Sequence, residues 1–189
     1  MKLLFYDVET TGLYWQMHGI RQVSAKMVID GKAEGVFSAT VKPIAGKAID
    51  DKALAVSGVT REMLETFEPA DVVFAKFERF LRKHIDNYNP LDKCYLVGFR
   101  NRSFDDDFLR QWFKDNQNSY FGSYFLSDSW DVSVMASMAL ANERKHLPNM
   151  KLATIAGYLG AEVDATKLHD SMYDVELTQH IYDTLKLMY

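Results

Sequence analysis

The chain is short of several things, and each shortage excludes something. It carries one cysteine in 189 residues, so neither an internal disulfide nor a cysteine-based zinc cluster is available to it. That residue, Cys94, lies in the apolar run "CYLVGF" and reads as a buried structural thiol, which suits a reducing, cytoplasmic compartment. Four prolines and ten glycines are scattered rather than gathered, and no repeat or low-complexity tract interrupts them. Nothing marks a linker, and a single domain over residues 1–189 is expected. No apolar run approaches the roughly 18 to 20 residues of a membrane span. The N-terminal "MKLLFYDV" lacks the apolar stretch and small-residue cleavage site of a signal peptide, so a soluble protein without membrane contact is expected. There is no excess of positive charge either. A formal net charge of -4 argues mildly against broad nucleic-acid binding, unless gathered carboxylates hold cations that reverse the local sign.

What is present is a substantial core, with 48% hydrophobic and 13% aromatic residues, enough to make disorder implausible. Lys2 to Asp7 reads as a first strand, apolar on both faces and therefore central. Gly19 to Ile29 reads as a second strand, "DGK" (Asp30 to Lys32) as a hairpin turn, and Ala33 to Lys42 as a third. Short helical patches follow over Ile49 to Glu65, with Thr60 as a cap. Ala70 to Ile85 spaces Val73, Phe74, Phe77, Phe80 and Leu81 as an amphipathic helix. Tyr95 to Phe99 is a buried strand, and Ser103 to Asn116 a helix for which Ser103 and Asp106 suggest a capping box. Phe125 and Leu126 suggest a fifth short strand. Helices then run over Val132 to Asn142, Lys151 to Leu159, and Ser171 to about Met188. The pattern is α/β with a five-stranded mixed sheet flanked by helices.

Against this frame the acids stand out. In "LFYDVETTGL", Asp7 and Glu9 are two residues apart at the end of a strand and share a face. Acids are depleted in central strands, and two like charges side by side call for a cation or proton between them. Asp105, Asp106 and Asp107 open a helix in "GFRNRSFDDDFL", and His169, Asp170 and Asp174 surround the start of the last helix in "LHDSMYDVEL". Acids in a first helical turn also complement the helix dipole without any chemistry. Asp131 stands alone in "SWDVSVM".

Metal chemistry accounts for the set. Mg²⁺ and Mn²⁺ prefer carboxylate oxygens, and two such ions about 4 Å apart can clamp the attacking and leaving oxygens of a phosphodiester. A nearby histidine can deprotonate the attacking water. Five residues of helix turn about 500°, so His169 and Asp174 cannot share one helical face. His169 is therefore expected in the loop before the helix.

"YDVETTGL", "GFRNRSFDDDFL" and "HDSMYDVELT" resemble, in order, the three motifs of the DEDDh 3′-to-5′ exonucleases. That group includes the proofreading subunit of bacterial replicative polymerase, ribonuclease T, oligoribonuclease and exonuclease X. The resemblance runs from Phe5 to about Thr178 and implies a ribonuclease H-like fold. It implies that Asp7, Glu9, Asp105 and Asp174 hold two Mg²⁺ ions, with Mn²⁺ able to substitute, and that His169 is the general base. Among the three aspartates the "N-x-x-F-D" pattern picks out Asp105. The implied substrate is the 3′ end of a nucleic acid, DNA in preference to RNA, single-stranded or frayed. Substrate contacts are expected from Thr10, Thr11, Gly12, Leu13, Tyr14, Asn101 and Phe104, with Leu13 as a wedge. Tyr14, Trp15 and Met17 could stack bases, or Tyr14 and Trp15 could pack on the last helix. Arg100, Arg102 and Lys145 are candidate phosphate contacts. Homodimerisation or association with a polymerase is open. Ser171 departs from the family's usual alanine, and Asp131 aligns with a recurrent "DT" for which a structural role is expected.

Two other readings compete. A catalytically silent nucleic-acid-binding module on the same fold would be expected to have lost some of these residues. A haloacid-dehalogenase-like phosphatase would want a second Asp where Glu9 stands.

Overall fold

The structure, a computed structural model, describes residues 1–187. β1 (Lys2–Thr10), β2 (Ile20–Ile29) and β3 (Lys32–Lys42) form an antiparallel meander. The β2–β3 turn is two residues, Asp30 and Gly31, both at positive φ (50° and 82°), which is what a right-twisted hairpin favours. α1 (Asp51–Val56), α2 (Arg61–Thr66, capped by Thr60) and the two-residue β4 (Glu68–Pro69) lead into α3 (Ala70–Arg82). β5 (Tyr95–Gly98) then runs parallel to β1 on its other side. α4 (Asp105–Asp115), α5 (Phe121–Tyr124), β6 (Trp130–Asp131), α6 (Val132–Ala139), α7 (Leu152–Tyr158) and α8 (Ser171–Lys186) complete the chain.

Among the described residues, six strands make one mixed sheet in the order β4-β3-β2-β1-β5-β6. Alternation along β1 sorts its side chains to two cores. Leu4, Tyr6 and Val8 pack with Phe74 and Phe77 of α3 and Phe108, Trp112 and Phe113 of α4. Leu3 and Phe5 pack on the other face with α6, α7 and α8. Asp7 and Glu9 continue that second row beyond the point where the apolar residues stop.

Four expectations need correction. The sheet has six strands, not five, because β4 adds an edge and β6 pairs with Val97 and Gly98. Phe125 makes only a single bridge to Cys94, and the terminal strand lies five residues later. The capping box is absent: Ser103 belongs to a 3-10 turn, and α4 starts at Asp105 without a side-chain cap. β1 extends through Thr10, so Asp7 and Glu9 lie within a paired strand rather than at its end. The expected end of the last helix at Met188 lies outside the described residues. No helix among the described residues is long and apolar enough to cross a membrane.

Candidate active site

β5 stops at Gly98, and the edge of β1 beyond it is open. The chain turns there through Arg100, at φ 61°, whose N–H donates to the Asp131 carboxylate (2.9 Å). Asp131 also caps α6 by accepting from the Ser133 N–H and hydroxyl, which is the structural role expected of it. Arg100 spends part of its guanidinium on the Met150 carbonyl.

Asp105, buried at the first residue of α4, fills the open edge and accepts from the Val8 N–H (3.2 Å). The next residue, Asp106, faces inward. It accepts from the Tyr6 hydroxyl, the Ser129 hydroxyl and the Asn101 side-chain amide. Three donors on one carboxylate pin the start of α4 and so fix Asp105 in place. Helix-dipole complementarity, the ordinary reading of Asp106, misses this anchoring role.

On the opposite side, Asp170 caps α8 by accepting from the N–H groups of Met172 and Tyr173 (both 3.1 Å). His169 precedes it, exposed and in the left-handed region at φ 69°. Residues held there cluster at functional sites. Ser171 is buried against Ser24 (2.6 Å), which continues to Ser38 (2.8 Å). The serine that replaces the usual alanine thus ties the first turn of α8 to the sheet.

The result is a convergence. Ligand atoms of Glu9, His169 and Asp174 all lie within 4.8 Å of one another. Burial pushes the Asp7 carboxyl well above the usual range, with Asp105, Glu9 and Asp174 adding to the shift. Burial raises Glu9 to about 7, against the opposing pull of Arg21. Burial likewise raises Asp105 to about 7, although the Val8 N–H lowers it. Asp174 is raised to about 6 by burial, with His169 opposing. Such a group binds protons or cations near neutral pH because it cannot hold four bare charges. One oxygen of Asp174, Oδ1, is buried without a hydrogen-bond partner. Hard carboxylate oxygens, one of them buried and unpartnered, fit divalent cations of the Mg²⁺ or Mn²⁺ kind, with the imidazole of His169 alongside.

Glu9 also has a neighbour that strand reading alone overlooked. Arg21 of β2 donates to Glu9 Oε2 (2.8 Å), a protein cation on one side of the carboxylate pair. Regular register places Gln22 opposite Glu9, so no sequence signal marks Arg21 as its partner.

The proposed substrate contacts divide. Leu13, Tyr14 and Met17, in the loop that follows β1, are 68%, 62% and 57% exposed. Trp15 is half-buried against the α3/α4 core, not on the last helix. Thr11 is fully buried, its hydroxyl donating to the Ala48 carbonyl and accepting from the Gly19 N–H, so its side chain serves the scaffold. Thr10 is buried and its hydroxyl closes the turn onto the Gly12 carbonyl. Asn101 is fully buried and bound to Asp106, which removes it from the substrate surface as well. Phe104 is half-buried and packs on Phe108, their centroids 4.9 Å apart.

Gly12 has a steric reason. A Cβ there would lie 2.2 Å from the buried His18 ring, whose Nδ1 sits 3.2 Å from the Tyr14 N–H. Gly12→Ala is expected to cost about 1 to 3 kcal/mol, the range for overpacking, and to displace Leu13 and Tyr14. Urea unfolding reads the stability loss.

The raised carboxyls make a second prediction. The folded state holds more protons than the unfolded chain between about pH 4 and 7, so stability of the chelated protein falls as pH rises through that window. Asp30, Asp92 and Asp164 are lowered and titrate below it. His84, lowered by burial, acts in the opposite direction but is one group against four. In chelator the melting temperature is therefore expected to be higher at pH 5.5 than at pH 7.5 by about 3 °C or more. That is roughly the shift that 1 kcal/mol produces at this size. Mn²⁺ should remove most of the difference by replacing the protons. A flat or rising profile in chelator would contradict it.

A ribonuclease H-like α/β fold with this cluster at the open end of its central strand defines a class. The RNase T exonuclease family model matches residues 4–182. DNA polymerase III PolC-type of Thermotoga petrophila is 24% identical over 176 residues, covering 93% of this chain and 11% of that protein. The PolC-type polymerase of Mycoplasmopsis pulmonis is 24% identical over 177 residues, 94% of this chain and 11% of its own length. Among solved structures, a zinc-bound E. coli exonuclease I–ssDNA complex superposes with a TM-score of 0.79 at 23% identity. It covers 99% of this chain and 40% of that one. Another exonuclease I structure gives 0.78 at 22%, covering 98% and 41%. The chain thus spans about a tenth of the length of the curated relatives it matches. It belongs to the RNase T exonuclease family, the DEDDh group that its three motifs resemble.

Proposed function

We propose that residues 1–189 act as one metal-dependent 3′-to-5′ exonuclease domain, releasing nucleoside 5′-monophosphates from a nucleic-acid 3′ end. The observation that carries this reading is the convergence of Glu9, His169 and Asp174, whose ligand atoms lie within 4.8 Å of one another, beside an Asp7 carboxyl raised by burial and by the charges of Asp105, Glu9 and Asp174. These four acids would hold two Mg²⁺ ions, with Mn²⁺ substituting. Such ions would stabilise charge developing on the attacking and leaving oxygens.

The chain's own residues do the rest. His169 takes the proton of the attacking water; its exposed position in a loop gives it access to solvent and to an incoming strand. Asp174 faces it and stabilises the imidazolium that results. Leu13 wedges against the terminal base and Tyr14 offers a stacking face, each stacked base contributing about 1 to 3 kcal/mol. Loss of the Thr10, Thr11 and Asn101 side chains from the contact set leaves Gly12 backbone, Leu13, Tyr14 and Phe104 as the surface for the strand end.

DNA is favoured over RNA, in keeping with the PolC-type and exonuclease I–ssDNA similarities. The same PolC likeness supports association with a polymerase, and a homodimer is the alternative arrangement. The buried thiol of Cys94, raised to about 12 by burial, is inert and suits the cytoplasm. Matched 3′-labelled DNA and RNA oligonucleotides, single- and double-stranded, test the substrate reading in Mg²⁺. Single-stranded DNA is expected to be degraded fastest; faster loss of RNA would reverse the preference.

A further inference from the structure

We propose that Arg21 is a positioning residue for the metal centre, a buried cation that fixes which way the Glu9 carboxylate faces. This rests on the metal-dependent reading above. The starting point is a fault in the β1–β2 ladder. Val8 pairs with Val23 and Glu9 with Gln22, but Thr10 pairs with Ile20, so Arg21 is an extra residue in β2. That is a β-bulge, a device that re-aims side chains and is common beside active sites.

Its effect can be read from the faces. Ile20 and Val23 both lie in the α3/α4 core, three residues apart, which strict alternation forbids. The bulge reconciles them by adding Arg21 on the face that Gln22, the regular partner of Glu9, already occupies. Arg21 meets Glu9 there, and Gln22 donates to Asp170, the cap of α8 (3.2 Å). The irregularity supplies a cation to the strand acid, and its regular neighbour Gln22 adds a hydrogen bond to the helix that carries Asp174.

The arrangement around Arg21 is anchored. Its Nη2 donates both to Glu9 Oε2 (2.8 Å) and to Ser57 Oγ (2.6 Å), and Ser57 in turn donates to the Leu54 carbonyl at the end of α1 (3.2 Å). A guanidinium only 2% exposed is costly to bury without firm partners, and its Nε has none. The pairing holds Oε2 and so restrains the carboxylate that lies within 4.8 Å of His169 and Asp174. A lysine could supply the charge but not the fixed planar geometry.

Positioning and simple charge make opposite predictions for metal affinity. Removing a positive charge beside a cation site should tighten binding if charge were all that Arg21 contributed. Removing a residue that orients a metal ligand should weaken it by about 10-fold or more. The experiment titrates the metal-stripped, folded protein with Mn²⁺ in the absence of any nucleic acid, following the free-ion EPR signal. Asp174→Asn serves as the ligand control, and a melting curve confirms that each variant is folded. Arg21→Gln is expected to bind Mn²⁺ about 10-fold more weakly, Arg21→Lys to fall between it and the unaltered protein, and Ser57→Ala to lose about 3-fold. Unchanged or tighter binding in Arg21→Gln would overturn the proposal. If Arg21→Gln does not fold, Ser57→Ala decides: weaker binding supports positioning and unchanged binding refutes it. Should the unaltered protein bind no Mn²⁺, the metal-dependent reading falls and this inference with it. If it binds and Arg21→Gln matches it, the inference alone falls.

Discussion

Asp174→Asn is expected to lower kcat for 3′-end degradation by about 10³-fold or more. Asn keeps the shape of the side chain and the helical N–H to the Asp170 carbonyl (3.0 Å), so α8 should form normally. What it removes is the negative charge on a group whose Oδ1 is buried without any donor in reach. If that oxygen holds a divalent ion, several kcal/mol of transition-state stabilisation go with it, and each 1.36 kcal/mol is a factor of ten. Stability should move the other way. One fewer carboxylate in a crowded cluster relieves repulsion, so the chelated variant should melt at or above the unaltered protein at pH 7.5. Asp7→Asn should behave alike, since Asp105, Glu9 and Asp174 all raise its carboxyl. Activity retained within 10-fold in either variant would remove these acids from catalysis.

His169→Ala is the second large effect. General-base catalysis contributes about 10²- to 10⁴-fold, so kcat should fall within that range. Affinity for a 3′-ended strand should change little, because a general base acts on the water and the histidine is exposed. Single-turnover rates and binding, measured separately, distinguish the two. A variant that loses affinity but keeps its rate would make His169 a strand contact instead of a base. Its φ of 69° adds a test, since Ala is less tolerant than His of the left-handed region. His169→Asn, which accepts that backbone, should show the same catalytic loss with less effect on stability.

Legibility in the sequence followed the range of each signal. Asp7 and Glu9 were visible because acids interrupt an apolar strand, and period-two alternation placed them on one face. His169 was placed in a loop by helical geometry alone. The choice among Asp105, Asp106 and Asp107 was not available from local rules, because any acid suits a first helical turn. It depended on the motif, and its physical basis is tertiary: Asp105 meets the Val8 N–H where β5 ends, while Asp106 gathers Tyr6, Asn101 and Ser129. Arg21 was missed for the same kind of reason. A bulge is a property of two strands in register, and neither strand alone records it. The two-residue strands Glu68–Pro69 and Trp130–Asp131 are too short to show any periodicity. The resemblance implies contacts from Thr10, Thr11 and Asn101, but both threonine hydroxyls and the Asn101 side-chain N–H are engaged within the protein.

The most direct test of the central claim uses a single-stranded DNA labelled at its 5′ end, incubated with the protein in Mg²⁺ and resolved by length. The account predicts a ladder of progressively shorter labelled strands with nucleoside 5′-monophosphates as the released product, all of it abolished by chelator. Release of the labelled 5′ nucleotide first, or degradation that persists in chelator, would contradict it.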